Sequence, residues 1–204
     1  MGVAAQASKR EQGDQGQPVV NLQGELVALG PLRRELIPLY HRWNNDLTVT
    51  RTCARQNPAT IEQETDAYDQ VVRDGSYVLL TLYERASMRP IGYAYLFDVD
   101  HRNRTAEYGI AIGEADCRGK GYGTETPRLV LDWAFTALGL HNVLLKVYAF
   151  NHVAIRAYQK AGFCEIGRRH ESHMMGGRLW DTVLMECLSS DSESPVLAHK
   201  FFPG

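Results

Sequence analysis

The sequence predicts an α/β (α+β) fold, in which a mixed, mostly antiparallel sheet of about seven strands is flanked by about four helices. Two observations predict it. From residue 76 onwards the hydrophobic pattern changes from the 3.6-residue period of helices to the two-residue period of strands. A glycine-rich stretch is then followed by a helix, a strand, a second helix and a hairpin. The strands before and after the first of these helices should run parallel, joined by a right-handed crossover.

The first part of the chain is predicted to form a strand over residues 24–30 and helices over 33–45 and 60–74. Pro38 predicts a late start or a kink in the first helix. Thr60 and Gln63 form a capping box that begins the second helix. The buried face of that helix is expected to carry Ala67, Tyr68, Val71 and Val72.

The rest of the fold is predicted to contain three consecutive strands, a glycine loop, and two helices that alternate with further strands. Pro127 suits the first turn of the helix after the loop, and Gly139 ends that helix. The predicted ranges are strands 76–84, 90–99, 105–113, 142–150, 164–175 and 178–187, and helices 125–138 and 152–161.

Composition indicates one soluble globular domain. The 204 residues are enough for one sizeable core, and 44% are hydrophobic and 23% charged. The net charge of −2 argues against a dedicated nucleic-acid binder. Residues 1–18 are expected to be a mobile tail, 19–188 the folded domain, and 189–204 a second tail that ends with Phe201-Phe202.

Several targeting and metal-binding signals are absent from the sequence. Residues 1–18 lack the apolar run of a signal peptide, and no stretch reaches the length of a membrane span. The four cysteines are far apart and form no C-x-x-C pair. This spacing fits a reducing compartment and predicts a cytoplasmic protein without a metal centre.

The most informative segment is Cys117-Arg-Gly-Lys-Gly-Tyr-Gly123. Glycines at every second position allow a tight turn that brings several backbone N–H groups close to a ligand. With the positive end of the following helix, these groups predict an anion site, and a diphosphate is the simplest ligand. The stretch fails the dinucleotide fingerprint G-x-G-x-x-G, and Gly119-Lys120 lacks the Ser or Thr of a P-loop.

A second motif, which follows the glycine-rich segment, makes the interpretation of that segment more specific. Residues 151–163 contain Asn-x-x-Ala-x-x-x-Tyr-x-x-x-Gly-Phe, one helix and one strand after Arg-x-x-Gly-x-Gly. In this order and spacing, the two patterns resemble the GNAT superfamily of acyl-CoA-dependent N-acyltransferases. The resemblance covers roughly residues 22–188. Trp43-Asn-Asn-Asp46 and the segment 176–185 also resemble the branch of ribosomal-protein-alanine acetyltransferases.

The resemblance implies that acetyl-CoA is the co-substrate. Its pantetheine arm is expected to lie between two diverging strands and to hydrogen-bond to the backbone of residues 110–112, although Ile110 and Ile112 also suit core packing. Asn151 is expected either to contact the pantetheine or to cap a helix. The expected binding residues are Ile110, Ala111, Ile112, Arg118, Gly119, Lys120, Gly121, Tyr122, Gly123, Thr124, Asn151, Ala154 and Tyr158.

Transfer of an acyl group to an amine requires a base for the ammonium proton, stabilisation of the oxyanion and an acid for the leaving thiolate. Tyr158 is the candidate acid, and a core aromatic is the alternative. Glu107 is the candidate base, and a carboxylate that binds the amine or is merely solvated is the alternative. Because the reaction needs no covalent enzyme intermediate, the cysteines are expected to be bystanders.

The predicted function is therefore transfer of an acetyl group from acetyl-CoA directly to a primary amine, on a protein N-terminus or a small molecule. The alternatives are a non-catalytic acyl-CoA-binding module or sensor, an acyltransferase for a longer acyl-CoA, and a nucleotide-binding protein of another fold. The expected partner is the amine acceptor, not nucleic acid or a membrane, and the chain is expected to be a monomer or homodimer. Helices 33–45 and 60–74, together with the hairpin at residues 176–177, should border the acceptor site.

Overall fold

The computed structural model describes residues 17–53 and 57–201. Its eight strands form one sheet in the order β1-β2-β3-β4-β5-β6-β8-β7. The strands are β1 Leu22–Gln23, β2 Val27–Pro31, β3 Val78–Glu84, β4 Pro90–Asp100, β5 Thr105–Ile112, β6 Asn142–Tyr148, β7 Cys164–Met175 and β8 Arg178–Leu188. The helices are α1 Ile37–Asn44, α2 Leu47–Thr50, α3 Ile61–Arg73, α4 Tyr122–Asp132, α5 His152–Ala161 and α6 Ala198–Phe201.

This architecture confirms the predicted mixed, mostly antiparallel sheet. The predicted first strand, 24–30, corresponds to β2, which begins later, at Val27. A further strand, β1, lies before the predicted range and pairs with β2, which raises the number of strands to eight. Among the described residues, two one-turn helices, α2 and α6, join the four that the sequence predicted. Helix α4 begins three residues earlier than predicted, at Tyr122, because its first turn belongs to the glycine loop.

Every strand pair is antiparallel except β5 and β6, which run parallel as the crossover argument predicted. Their pairing extends only from Thr105–Asn142 to Tyr108–Leu145. Beyond this point β5 stays paired with β4 as far as Ile112, and β6 stays paired with β8 as far as Tyr148. The two strands therefore diverge and leave a cleft in the middle of the sheet.

Helices cover both faces of the sheet. On one face, Leu129 and Val130 of α4 join a large core that includes Leu145 of β6 and Phe163 after α5. On the other face, α1 contributes Ile37, Tyr40 and Trp43 to a smaller cluster. In α3 the predicted capping box is present, but Val72 is 62% exposed, so its assignment to the buried face was wrong.

The chain after Leu188 packs back onto α4. Asp132 is 1% exposed, and its carboxylate accepts hydrogen bonds from the backbone N–H groups of Val196 and Leu197 at 2.8 and 2.9 Å. Leu197 is itself buried in the main core. The predicted limits of the domain, 19–188, stay a prediction. Most of the predicted N-terminal tail, and Phe202, lie outside the described residues.

Replacing Asp132 with Ala should release this segment from α4. The change leaves the N–H groups of Val196 and Leu197 without their acceptor, at a cost of roughly 2–4 kcal/mol in the free energy of unfolding. Chemical denaturation of the variant measures this loss. Asp191→Ala is the matched control, because Asp191 is exposed in the same segment and its replacement should change stability by less than about 0.5 kcal/mol. Equal stability of the two variants would contradict the anchoring role.

Candidate active site

The glycine loop leaves several backbone N–H groups available for a ligand. Gly119 and Gly121 have φ of +76° and +88°, a left-handed conformation that favours glycine. The N–H groups of Gly119, Lys120 and Gly121 donate to no acceptor among the described residues. Those of Tyr122 and Gly123 open helix α4, where no preceding turn can accept from them. The segment therefore fits the diphosphate of a coenzyme.

A carboxylate in the first turn of α4 fixes the position of this loop. Glu125 accepts hydrogen bonds from the backbone N–H groups of Glu25, Leu26 and Val27, each at 2.8 Å. The turn between β1 and β2 is thereby held against the start of α4. On the other side, the Tyr122 hydroxyl donates to Glu84 Oε1 at 2.7 Å.

The side chains of the loop point in different directions. Arg118 and Lys120 are exposed, and Arg118 lies 3.4 Å from the Thr48 hydroxyl. The Tyr122 ring is buried, so only the backbone of Tyr122 can face an anion. The N–H of Thr124 donates to the carbonyl of Gly121 at 2.9 Å, so this amide is already used inside the helix.

The cleft between β5 and β6 exposes backbone on the β6 side of residues 109–112. Because these residues pair with β4 alone, every second N–H and C=O points into the cleft. Ile110 and Ile112 pack against the main core, and Ala111 is buried on the opposite face. Core packing of the side chains and backbone recognition of an extended ligand are therefore compatible here.

Helix α5 carries the second predicted segment. Asn151 caps the helix, because its Oδ1 accepts from the N–H of Ala154 at 3.2 Å. The ring of Tyr158 packs edge-on against those of Tyr108 and Phe163, with centroids 6.2 and 6.0 Å away. Its hydroxyl makes no hydrogen bond to any described residue. Burial, and then the neighbouring Tyr95 and Cys53, raise the pKa of Tyr158, so the phenol stays protonated at neutral pH.

Glu107 lies on β5 near the end of its pairing with β6, just before the two strands diverge. On β5 it pairs with Phe97 of β4, so its side chain lies on the sheet face that α1 and α3 cover. Its carboxylate forms an ion pair with Lys146 Nζ of β6, 2.9 Å away. The candidate base and candidate acid therefore approach the cleft from opposite faces of the sheet.

A cavity of about 390 Å³ lies between this face of the sheet and helices α1 to α3. Its walls are mostly apolar and aromatic. The lining residues are Leu32, Tyr40, Asn44, Val49, Thr50, Cys53, Glu64, Ala67, Tyr68, Val71, Tyr77, Leu79, Tyr93, Tyr95 and Phe97. The Tyr95 ring lies so close to Gly109 that a Cβ there would be 2.2 Å from Tyr95 Cζ. Tyr95, one wall of the cavity, therefore packs directly against β5 at Gly109, one residue beyond the last β5–β6 pair.

The segment Trp43-Asn-Asn-Asp46 ties the helices of this cavity together. Trp43 Nε1 donates to Glu114 Oε1 at 2.8 Å, just beyond β5. Asn44 Nδ2 donates to Glu64 Oε1 at 2.9 Å, which joins α1 to α3. Asp46 caps α2 by accepting from Thr48 N at 2.7 Å. The motif thus has a structural role at each position named here.

Sequence reasoning placed helices at the cavity but did not identify the residues that line it from outside those helices, such as Tyr95, or the buried Glu64. A signal for Glu64 was present, because positions 64, 67, 68 and 71 share one helical face and Glu64 is 8% exposed. No signal identified Tyr95, whose place depends on its pairing with Gly109 on β5. Asp100 and Asp181 accept hydrogen bonds from nearby backbone N–H groups and do not line the cavity.

The cysteines are all free thiols, and none lies in a metal-binding group. Burial raises the pKa of the Cys117 thiol, whose sulfur lies 3.0 Å from Arg89 Nη2. Among residues 17–53 and 57–201, no three His, Cys, Asp or Glu side chains are close enough to hold a metal ion. In the same ranges no helix has the length and hydropathy needed to cross a membrane.

The glycine loop at the start of a helix, beside a cleft between two diverging parallel strands, is the arrangement that the resemblance to acyl-CoA-dependent N-acyltransferases predicted. Comparison with known proteins gives the same class: the family model of the acetyltransferase (GNAT) domain matches residues 27–164. The chain belongs to the GNAT acetyltransferase family. It is an acetyl-CoA-dependent N-acetyltransferase, which confirms the predicted reaction and co-substrate and sets aside the non-catalytic and nucleotide-binding alternatives.

Several relatives are similar over most of their length. Spermidine N(1)-acetyltransferase of Escherichia coli strain K12 is 30% identical over 162 residues, which cover 78% of this chain and 84% of the relative. Human alpha/beta-tubulin-N-acetyltransferase 9 is 31% identical over 158 residues, with coverages of 71% and 75%. The finer resemblance to the ribosomal-protein-alanine branch stays a prediction.

Solved structures share the fold. The crystal structure of spermidine N-acetyltransferase from Vibrio cholerae in complex with CoA and spermine has a TM-score of 0.77 and 26% identity, and covers 82% of this chain and 98% of that one. A dodecameric structure of the Vibrio cholerae enzyme has a TM-score of 0.71 and 25% identity, with coverages of 82% and 96%.

Gly121→Val should abolish binding of acetyl-CoA without unfolding the chain. Valine disfavours φ of +88° at this position, and its side chain would crowd the backbone that faces the anion. Calorimetry with acetyl-CoA measures the affinity, and circular dichroism checks the fold.

Gly167→Val is the matched control, because a Cβ at Gly167 meets nothing within 4 Å and this glycine lies in β7, far along the chain from the loop. The control should keep the wild-type affinity. A folded Gly121→Val variant that still binds acetyl-CoA normally would remove the loop from the coenzyme site.

Proposed function

We propose that this N-acetyltransferase acts on the primary amine of a small molecule bound in the cavity between α1, α2, α3 and the sheet. The observation that carries the proposal is the contact between Tyr95, which lines the cavity, and Gly109, which lies on β5 where its pairing with β6 has ended. An amine held there would meet the acyl group at the point where β5 loses its partner strand. The relatives that acetylate spermidine support a small-molecule acceptor.

In this proposal, residues 118–124 and the backbone of residues 110–112 bind the coenzyme. The free N–H groups of the loop hold its diphosphate, and Arg118 and Lys120 add exposed positive charge. The pantetheine arm extends β5 like an additional strand. One free N–H in the cleft is then positioned to stabilise the oxyanion of the transition state. Asn151 and Ala154 place the start of α5 along the same arm.

The most direct test is a panel of amines incubated with labelled acetyl-CoA. Small primary amines should become acetylated, and peptides with free N-termini should not. Competition by acetyl-CoA analogues that lack the diphosphate separates loop recognition from pantetheine recognition. Acetylation of the peptides alone would overturn the small-molecule assignment.

Tyr158 is proposed to protonate the departing thiolate. Tyr158→Phe removes only the hydroxyl, so turnover should fall by roughly 10² or more while the affinity for acetyl-CoA barely changes. Steady-state kinetics and calorimetry measure the two effects. Because the pKa of Tyr158 is raised, the wild-type rate should show no loss from phenol ionisation up to about pH 10, the ordinary tyrosine value.

Tyr108→Phe is the control for this variant, because Tyr108 lies in the same ring cluster and its buried hydroxyl has no partner among the described residues. Its turnover should stay near wild type. If Tyr158→Phe lost binding and turnover equally, Tyr158 would be a packing residue.

Glu107 is proposed to accept the amine proton, directly or through a water molecule. Glu107→Gln keeps the size of the side chain and removes its basicity, so the rate should fall most near neutral pH. It should recover partly at high pH, where the unprotonated amine is abundant. A pH–rate profile of kcat and kcat/KM measures this.

Two other outcomes would assign Glu107 a different role. A raised KM with unchanged kcat would indicate a residue that only binds the cation. A wild-type profile would remove Glu107 from the site. Lys146→Met separates the ion pair from the catalytic role, because it removes the partner of Glu107 while leaving the carboxylate in place.

The cellular setting is part of the proposal. Four free cysteines suit a reducing cytoplasm, so we propose that the enzyme works there. A monomer or homodimer remains our expectation for its assembly. Sedimentation at several protein concentrations distinguishes these states from a dodecamer such as that of the Vibrio cholerae enzyme.

A further inference from the structure

The acceptor cavity has aromatic walls. Tyr93, Tyr95 and Phe97 form a row along β4, with successive ring centroids 6.1 and 5.6 Å apart. Tyr40 of α1 packs edge-on against Tyr93 at 6.2 Å, and Tyr68 of α3 lines the opposite wall. Such a wall offers large contact areas to a flat apolar group, at about 25 cal/mol for each Å² of apolar surface that it removes from water.

Negative charge in this cavity is scarce. Glu64 is the one carboxylate among the described lining residues, and it is already hydrogen-bonded to Asn44. Burial raises the pKa of Tyr40 and of Tyr95 to about 12, so these phenols stay neutral at physiological pH. A polyamine carries three or four ammonium groups, and burying each one without a carboxylate partner is strongly unfavourable.

We propose that the acceptor is a monoamine with an aromatic body, which lies along the row of Tyr93, Tyr95 and Phe97 with its amine at the Gly109 end. This inference rests on the proposed function, since it assigns the substrate class of the same cavity. The volume of about 390 Å³ falls in the range of small-molecule sites, roughly 300–1,000 Å³, and suits a short arylalkylamine. The spermidine acetyltransferases would then share the reaction with this chain but not the acceptor.

The test compares phenethylamine, hexylamine and spermidine as acceptors for the full chain with acetyl-CoA. We expect kcat/KM to be highest for phenethylamine, at least about tenfold above spermidine, with hexylamine between them. A higher kcat/KM for spermidine would overturn the inference while leaving the proposed function intact. Acetylation of none of the amines would overturn both.

Two adjacent valines on α3 provide a matched pair of variants. Val71 lines the cavity, whereas Val72 is 62% exposed on the outer side of the helix. Val71→Asp adds a second carboxylate to the cavity and should lower the ratio of phenethylamine to spermidine kcat/KM by about tenfold or more. Val72→Asp adds the same charge outside the cavity and should leave the ratio unchanged. The same shift in both variants would contradict the inference.

A second variant keeps the test decisive if Val71→Asp folds poorly. Tyr68→Ala removes an aromatic wall without adding charge. It should reduce kcat/KM for phenethylamine by about tenfold, through KM, and change the value for spermidine by less than about twofold. The affinity for acetyl-CoA should not change. Equal losses for both amines would overturn the aromatic-body assignment.

Discussion

The early end of the pairing between β5 and β6 is the constraint on which the site depends. Four residue pairs, from Thr105–Asn142 to Tyr108–Leu145, join the two halves of the sheet before the strands diverge. This break makes backbone groups of β5 available in the middle of a sheet, where they would otherwise be paired. In the proposed function, it also allows Tyr158 from one face of the sheet and Glu107 from the other to act at the same cleft. If β5 and β6 stayed paired along their whole length, the sheet would separate Tyr158 from Glu107 and no cleft would remain.

Two carboxylates of α4, one buried and one half-buried, hold this helix in place beside the cleft. Glu125 accepts three N–H groups from the turn between β1 and β2, and Asp132, two turns later, accepts two from the C-terminal segment. Each carboxylate thus attaches a distant segment of the chain to α4 through several backbone hydrogen bonds. Two segments that are distant in the sequence therefore fix the position of α4.

The elements near the loop could be predicted from the sequence because their signals are local. Helix 152–161 was predicted with its observed bounds, since Asn151 and Gly162 mark its two ends. The cavity could not be predicted in the same way. Tyr95 reaches the cleft only through its register opposite Gly109, and Glu64 looks like an ordinary charged residue until α1 is packed over it. Long-range pairing, rather than local propensity, determines both places.

In the proposed function the two substrates are recognised by different chemistry, and this difference affects how the enzyme can diverge. The proposed coenzyme site consists mostly of backbone groups from residues 109–112 and 119–123, which any sequence able to form the same turns can present. The proposed acceptor cavity is lined by side chains on α1, α3 and β4, so one substitution changes its shape or charge. Relatives about 30% identical can therefore keep acetyl-CoA and the transfer chemistry while the amine changes.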